Sequence, residues 1–201
     1  MNIALVLTVM RIFMSPVFLL LYLYFEQLGI PLVLLPWLLV GLLSITELSD
    51  LFDGILARRR NQVTELGKVL DPMADSIFHF SVLLTFTQGL IQLPLLLVSV
   101  FFYRDSVIST LRTVCAMRGV ALGARISGKI KAGVQAACTF VITIFMIPYS
   151  LGLVSLEMLR DISFYSVLTA ACYTIFSGFE YIYANWNYIK RALLTQREMA
   201  Q

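Results

Sequence analysis

The sequence predicts an all-α integral membrane protein of six transmembrane helices, with both termini in the cytoplasm. Three observations support this fold class: an apolar composition, six long apolar runs, and basic residues gathered in alternate connections. Of the 201 residues, 59% are hydrophobic and only 13% are charged. Such a chain has too few polar side chains to cover a water-soluble globule. We therefore expect a single membrane domain over residues 1–201.

The apolar runs are long enough to cross a bilayer, which takes about 20 residues in a helix. Six runs reach that length, at residues 9–27, 32–57, 69–91, 93–115, 126–150 and 163–188. The first run continues through Tyr22 and Phe25 without a small-residue cleavage site, so we do not expect a cleaved signal peptide. A single run could be the buried helix of a soluble protein, but six in succession favour membrane spans.

Basic residues indicate the orientation of the helices. They occupy the second and fourth connections and the segment after the last helix: Arg58, Arg59, Arg60, Lys68; Arg112, Arg118, Arg125, Lys129, Lys131; Lys190, Arg191 and Arg197. The connections on the opposite side contain a single basic residue, Arg160. The positive-inside rule then places the basic connections and both termini in the cytoplasm of a cell-membrane protein. Orientation explains much of the net charge of +3, so no nucleic-acid partner is expected.

The cysteines give no sign of a metal motif or a disulfide framework. Cys115, Cys138 and Cys172 are odd in number and dispersed along predicted helices. We expect reduced thiols that act as small apolar side chains.

Four aspartates lie in the apolar sequence of the second and third predicted helices. Carboxylates are costly there, so their default interpretation is a functional site. Asp50 and Asp53 are three residues apart and Asp71 and Asp75 are four apart, which places each pair on one helix face. A connection of roughly ten residues allows the two helices to run antiparallel. We therefore expect all four carboxylates to converge near the cytoplasmic surface.

Four negative charges this close must be protonated or held together by cations, because desolvating each costs several kcal/mol. Oxygen ligands without a nearby cysteine suit Mg²⁺ or Mn²⁺, and a pair of such ions can clamp phosphoryl oxygens. Gly54 and Ala57 leave room beside the carboxylates, and Arg58 offers a planar donor fork for phosphate. The pattern predicts a pocket for a metal-bound pyrophosphate.

The full pattern resembles the signature of the CDP-alcohol phosphatidyltransferase family, D-x2-D-G-x2-A-R-x8-G-x3-D-x3-D. Its eight specified positions are occupied by Asp50, Asp53, Gly54, Ala57, Arg58, Gly67, Asp71 and Asp75. The resemblance implies transfer from a CDP-linked lipid or alcohol, release of CMP, and two divalent cations, Mg²⁺ or Mn²⁺. A homodimer is also suggested by this likeness.

The resemblance also implies roles for single residues. Asp50 and Asp71 would bridge the two metals, Asp53 would complete one metal site, and Asp75 would complete the other and act as general base. The pocket for cytidine and pyrophosphate would be lined by Gly54, Ala57, Arg58, Thr64 and Gly67.

Residues outside the signature resemble bacterial phosphatidylglycerophosphate synthases. The matches include Met1-Asn2-Ile3, Thr8, Arg11, Arg59 to Gln62, Arg104, Asp105, Leu111-Arg112 and Gly128 to Lys131. Glycerol 3-phosphate, an acceptor with its own phosphate, would need cations beyond the metals. The candidates are Arg104, Arg112, Lys129 and Lys131. Alternatively, Arg104 pairs with Asp105 or Asp75 and the lysines only mark the cytoplasmic face.

Departures from that subgroup keep other acceptors open. Ala4 and Leu5 stand where proline and asparagine are usual, and Ser76 where lysine is usual. Inositol phosphate, serine, or transfer of a CDP-aminoalcohol to diacylglycerol are therefore alternatives. A different class, a divalent-cation or proton-coupled transporter, would also use buried carboxylates. The position of the aspartates near one face and the absence of an inverted repeat argue against transport.

Three further polar residues lie near the motif or in an apolar helix. His79 shares a helix face with Asp75, and Glu47 precedes Asp50 by three residues. For both we expect packing or hydrogen bonding rather than metal ligation. Glu180 needs a partner within the membrane or a proton.

Overall fold

The computed structural model describes the backbone of residues 3–59, 65–117, 122–123 and 125–198, and the side chains of residues 10–49, 73–117, 122–123 and 125–190. Within these ranges the chain forms six α-helices and no strand. They are α1 (Ile3–Tyr24), α2 (Leu35–Arg59), α3 (Glu65–Thr85), α4 (Leu95–Met117), α5 (Ile126–Ser150) and α6 (Leu156–Glu198). The predicted all-α class is confirmed.

The last helix differs most from its predicted bounds. The prediction gave 163–188, whereas α6 runs for 43 residues. Its start is capped by Ser155, whose hydroxyl accepts a hydrogen bond from the Met158 amide at 3.2 Å. Arg160 was predicted to lie in a connection, which is wrong: it lies in the second turn of α6. Its Nε donates to the Leu90 carbonyl at 2.9 Å, so this cation is held inside a helix by the neighbouring turn.

Helix α3 ends six residues before its predicted end at residue 91. After Thr85 the chain turns, with Gly89 at φ +67° and Gln92 at φ +57°. A Cβ on Gly89 would lie 2.9 Å from Cε1 of Tyr22, so both the backbone angle and the close approach require glycine there. Tyr22 joins this turn to α1: its hydroxyl donates to the Gln88 carbonyl and accepts from the Ile91 amide.

Within the described side chains, two helical segments are long and apolar enough to cross a membrane by themselves, Ile126–Ser150 and Leu156–Lys190. Apolar stretches of α1, α2 and α3 are shorter within the described side chains. Large apolar side chains also face outward: Leu96 is 82% exposed and Phe179 71%. In water such a surface would be unfavourable, so these features indicate a membrane protein.

The directions of the helices determine at which end of the molecule each polar side chain lies. Helices α1 and α3 are parallel, since the aromatic rings near their ends meet, with Phe18 and Phe86 centroids 5.7 Å apart. Helices α4 and α6 are also parallel, because Arg104 contacts Ser177 and Cys115 packs near Ile189. Helix α5 runs antiparallel to α6. The beginnings of α3 and α5 therefore lie at the same end of the molecule as the end of α4.

The remaining packing encloses a large apolar core. Helix α1 packs on α2 and α3, α5 on α2 and α6, and α3 on α4 and α5. The core includes Phe78, Phe86, Phe101 and Leu39. The three cysteines are free thiols, with Cys115 and Cys138 buried and Cys172 exposed, as the sequence predicted.

Candidate active site

The signature lies at the junction of two helices. Asp50, Asp53, Gly54, Ala57 and Arg58 belong to the last turns of α2, and Gly67, Asp71 and Asp75 to the first turns of α3. Thr64 lies outside the described residues, and so do the side chains of the other signature residues except Asp75. Their predicted roles in metal and nucleotide binding therefore stay predictions. The backbone is helical at Asp50 and Asp53 and again at Asp71 and Asp75. This agrees with the prediction that each pair of aspartates lies on one helix face.

Asp75 is held by a histidine one turn further along α3. His79 Nε2 lies 3.1 Å from Oδ1 of Asp75 and 3.4 Å from Oε1 of Glu47 on α2. The His79 side chain is only 4% exposed, whereas that of Asp75 is 32% exposed. Since both neighbours are carboxylates, Nε2 carries the hydrogen and donates it. The contact of Glu47 with a neighbouring helix, and the packing of the buried His79 side chain, agree with what the sequence predicted for these two residues.

Two cations act on Asp75 from other helices. Arg11 on α1 and Lys131 on α5 both attract its carboxylate electrostatically. The side chain of Lys131 is buried, at 7% exposure. The Asp75 carboxylate is therefore partly open to solvent and subject to positive charge from two neighbouring helices. An anionic substrate would meet this positive charge as well.

The donor chemistry here fits divalent cations. Carboxylate oxygens suit Mg²⁺ and Mn²⁺, and ligating carboxylates are themselves usually hydrogen-bonded, as Asp75 is by His79. Among the described side chains no group of three or more His, Cys, Asp or Glu could hold a metal. The side chains of Asp50, Asp53 and Asp71 lie outside the described residues.

A second charged cluster connects α4, α5 and α6. Asp105 accepts from Arg104 Nη1 at 3.0 Å through Oδ1 and from Lys131 Nζ at 2.8 Å through Oδ2. Arg104 Nη2 also donates to Ser177 Oγ at 3.1 Å. The alternative that Arg104 pairs with Asp105 is therefore what the structure has. Lys131 is buried in this cluster, so it does more than mark a membrane face.

The other two predicted acceptor-binding cations lie nearer the helix ends. Arg112 Nε donates to the Tyr181 hydroxyl at 3.1 Å, and its guanidinium carbon lies 5.2 Å from the centroid of that ring. Lys129 is exposed on α5. Arg104 and Lys131 thus belong to one cluster, with Arg112 two turns further along α4 than Arg104. The structure does not test whether any of them binds an acceptor.

Partners on α6 were not identified from the sequence. Ser177 and Tyr181 hold Arg104 and Arg112, and Glu180 accepts from Ser127 and pairs with Arg125 at 2.9 Å. Glu180 thus has the partner that its position required. The available signal was the spacing of four between Ser177 and Tyr181, which places them on one helix face.

Close approach to Arg104 explains one glycine. A Cβ on Gly178 would lie 3.2 Å from Cγ of Arg104. The side chain of Arg104 therefore crosses α6 directly over the Gly178 backbone, and a larger residue there would displace it.

Comparison with known proteins identifies the family. A family model described as CDP-alcohol phosphatidyltransferase matches residues 1–178. A Bacillus subtilis (strain 168) protein named CDP-diacylglycerol–glycerol-3-phosphate 3-phosphatidyltransferase is 32% identical over 149 residues, covering 74% of each chain. A Mycobacterium tuberculosis protein named as a probable phosphatidylglycerophosphate synthase is 34% identical over 149 residues, covering 74% of this chain and 68% of its own.

A longer alignment gives the same answer. A Rickettsia typhi protein that carries the same name as the Bacillus relative is 29% identical over 181 residues, covering 89% of this chain and 93% of its own. The matched region contains the complete aspartate signature and the clusters around Asp75 and Asp105. This is a transferase rather than a transporter: the chain belongs to the CDP-alcohol phosphatidyltransferase family.

Proposed function

We propose that this enzyme transfers the phosphatidyl group of CDP-diacylglycerol to glycerol 3-phosphate, with release of CMP and formation of phosphatidylglycerol phosphate. The observation that carries the reaction class is the complete signature on α2 and α3, with Asp75 fixed by His79 at 3.1 Å. Support for the acceptor comes from the names of the Bacillus and Rickettsia relatives.

The metal site is proposed to consist of the four signature carboxylates. Asp50 and Asp71 would be shared between two divalent cations, Asp53 would complete one site and Asp75 the other. When bound, Mg²⁺ or Mn²⁺ would neutralise charge on the pyrophosphate and on the departing CMP. Gly54, Ala57, Arg58, Thr64 and Gly67 would line the space for cytidine and pyrophosphate.

Asp75 is proposed to act as general base. It takes the proton of the acceptor hydroxyl as that oxygen forms a bond to the β-phosphorus, which carries the diacylglycerol. The bond between this phosphorus and the bridging oxygen breaks, and CMP leaves with the electron pair. The Asp75 side chain is 32% exposed, and His79 contacts it through Oδ1, so we propose that the carboxylate is accessible to an acceptor.

The acceptor phosphate is proposed to bind the cations of α4 and α5. Arg104 and Lys131 share one counter-ion, Asp105, so this cluster carries a net positive charge when both cations are protonated. Arg112 and Lys129 add charge nearer the helix ends. An uncharged hydroxyl acceptor would gain little from these residues, which favours a phosphorylated acceptor.

In the proposed topology all six helices cross the cell membrane, with both termini and the signature at the cytoplasmic face. Helices α5 and α6 support this by length and composition, and the basic connections support the orientation. A single domain over residues 1–201, working as a homodimer, completes the proposal.

The experiment is an acceptor panel with the full chain purified in detergent. With CDP-diacylglycerol and Mn²⁺ or Mg²⁺, we expect CMP release to require glycerol 3-phosphate and not serine, inositol phosphate or diacylglycerol. Release that depends on one of the other acceptors would reassign the substrate, and none with any acceptor would refute the reaction.

The first prediction concerns the signature carboxylates. Asp71→Asn and Asp75→Asn should each abolish turnover, because each loses an anionic oxygen ligand and Asp75→Asn also loses the base. Size-exclusion chromatography should show that both variants remain monodisperse. Turnover retained by either variant would contradict the assigned roles.

A further inference from the structure

A histidine links the two helices that carry the signature. His79 lies on α3 and its Nε2 reaches Glu47 on α2 at 3.4 Å as well as Asp75 on its own helix at 3.1 Å. Glu47 precedes Asp50 by three residues and so belongs to the same face of α2. The contact therefore joins the two halves of the proposed metal site.

Helix geometry directs the ring toward the aspartates. Side chains on an α-helix lean toward its N-terminus, and residues four apart lie one above the other. His79 therefore extends back along α3 to Asp75, from a position one turn further from the start of α3. Its ring is packed edge to face against Phe78, with centroids 5.7 Å apart. This packing restricts the orientation of the His79 ring, and the ring in turn restricts the position of the Asp75 oxygen that it contacts.

The contact depends only on a hydrogen at Nε2. Both the neutral Nε2–H tautomer and the imidazolium carry it. Within the described part of the chain, the buried Nδ1 of His79 has no hydrogen-bond partner. The polar function of this buried ring is thus concentrated at Nε2, on the two carboxylates.

We propose that His79, itself held by Glu47, is a positioning residue for the signature carboxylates. It fixes one oxygen of Asp75 and ties α3 to α2, so that the carboxylates of the two helices are arranged before divalent cations bind. This rests on the proposed function for the identity of the metal site. It predicts a loss of metal affinity, which can be measured without substrate.

The test compares three variants of the full chain in detergent. His79→Leu keeps a similar volume and removes the donor, whereas His79→Gln places an amide donor near the position of Nε2. The matched control is Thr85→Val, a buried site on the same helix whose hydroxyl donates to the Ser81 carbonyl at 2.7 Å. Free Mn²⁺ is followed by electron paramagnetic resonance in the absence of lipid and acceptor, and CMP release is assayed separately.

We expect His79→Leu to weaken Mn²⁺ binding about 10- to 100-fold, as loss of an outer-shell partner commonly does. The Mn²⁺ concentration for half-maximal CMP release should rise in parallel. His79→Gln should recover most of the affinity, and Thr85→Val should bind like the wild type. If His79→Leu does not fold, Glu47→Gln tests the same link and should weaken Mn²⁺ binding by a smaller factor.

Wild-type affinity in His79→Leu, or equal impairment in the Leu and Gln variants, would overturn the proposal. These results would leave the proposed function intact as long as the wild type releases CMP with glycerol 3-phosphate. Conversely, a wild type inactive with every acceptor refutes the reaction, while Mn²⁺ binding still decides the role of His79.

Discussion

Asp105 contacts both Arg104 and Lys131, so its removal should be more damaging than removal of either partner's charge. The side chains of Asp105, Arg104 and Lys131 are 17%, 13% and 7% exposed. At N···O distances of 3.0 and 2.8 Å, each attraction is about 5 to 6 kcal/mol at an effective dielectric constant of about 20. Much of this is offset by the cost of desolvating three charges.

Asp105→Asn should therefore lower the free energy of unfolding by about 3 to 5 kcal/mol, the usual cost of leaving buried charge without its partner. For a chain of this length that corresponds to a fall in Tm of about 6 to 20 °C. Lys131→Met leaves Arg104 and Asp105 as a neutral pair and should cost about 1.5 to 3 kcal/mol.

The double variant Asp105→Asn with Lys131→Met supplies the decisive comparison. It leaves one unpaired cation instead of two, so its loss of stability should be smaller than the sum of the two single losses, by a coupling of about 1 to 3 kcal/mol. The assay is the fraction of protein that remains monodisperse after heating in detergent. A double variant whose loss equals the sum of the two single losses would refute the reasoning, as would an Asp105→Asn variant more stable than Lys131→Met.

Two other predictions concern the same region. Gly178→Ala should be less stable than Gly133→Ala in the same heating assay. The new methyl group on residue 178 would lie 3.2 Å from Cγ of Arg104, whereas no described atom lies within 4 Å of the methyl group on residue 133. At position 133 alanine should therefore gain up to about 1 kcal/mol of helix propensity. Equal stability of the two would contradict this packing. Arg112→Gln should raise the KM for glycerol 3-phosphate about 10- to 100-fold through loss of a charge-assisted contact. Lys129→Met, at an exposed site, should raise it less, and the KM for CDP-diacylglycerol is the control in both cases.

The sequence predicted the helical class and α5 closely because both follow from local periodicity. A membrane helix is recognised from its apolar length, and Ile126–Ser150 is bounded by polar or turn-forming residues. The prediction was wrong where a polar residue finds a distant partner. Arg160 looked like part of a connection, but the Leu90 carbonyl, 70 residues away, accommodates it within α6.

The candidate site was predictable to the same degree. Spacings of three and four place Asp71 and Asp75 on one face without knowledge of any other helix. The side chains from other helices that contact this face cannot be identified from spacing. His79 was within reach by spacing, yet the contact with Glu47 depends on how α2 and α3 approach each other, and sequence separation carries no such information.

The amino-acid sequence alone indicated three properties of this protein: its family, its membrane environment, and the spacing of its carboxylates along two helices. Tertiary structure decided which charged side chains of different helices are partners, placing Lys131 of α5 against Asp105 of α4 and Glu47 of α2 against His79 of α3. The physical reason is that helix periodicity relates residues a few positions apart, whereas contacts between helices join residues far apart in the sequence. Helix periodicity fixes the face on which a residue lies. Ion pairs between helices, in contrast, form only where packing brings two faces to the same depth.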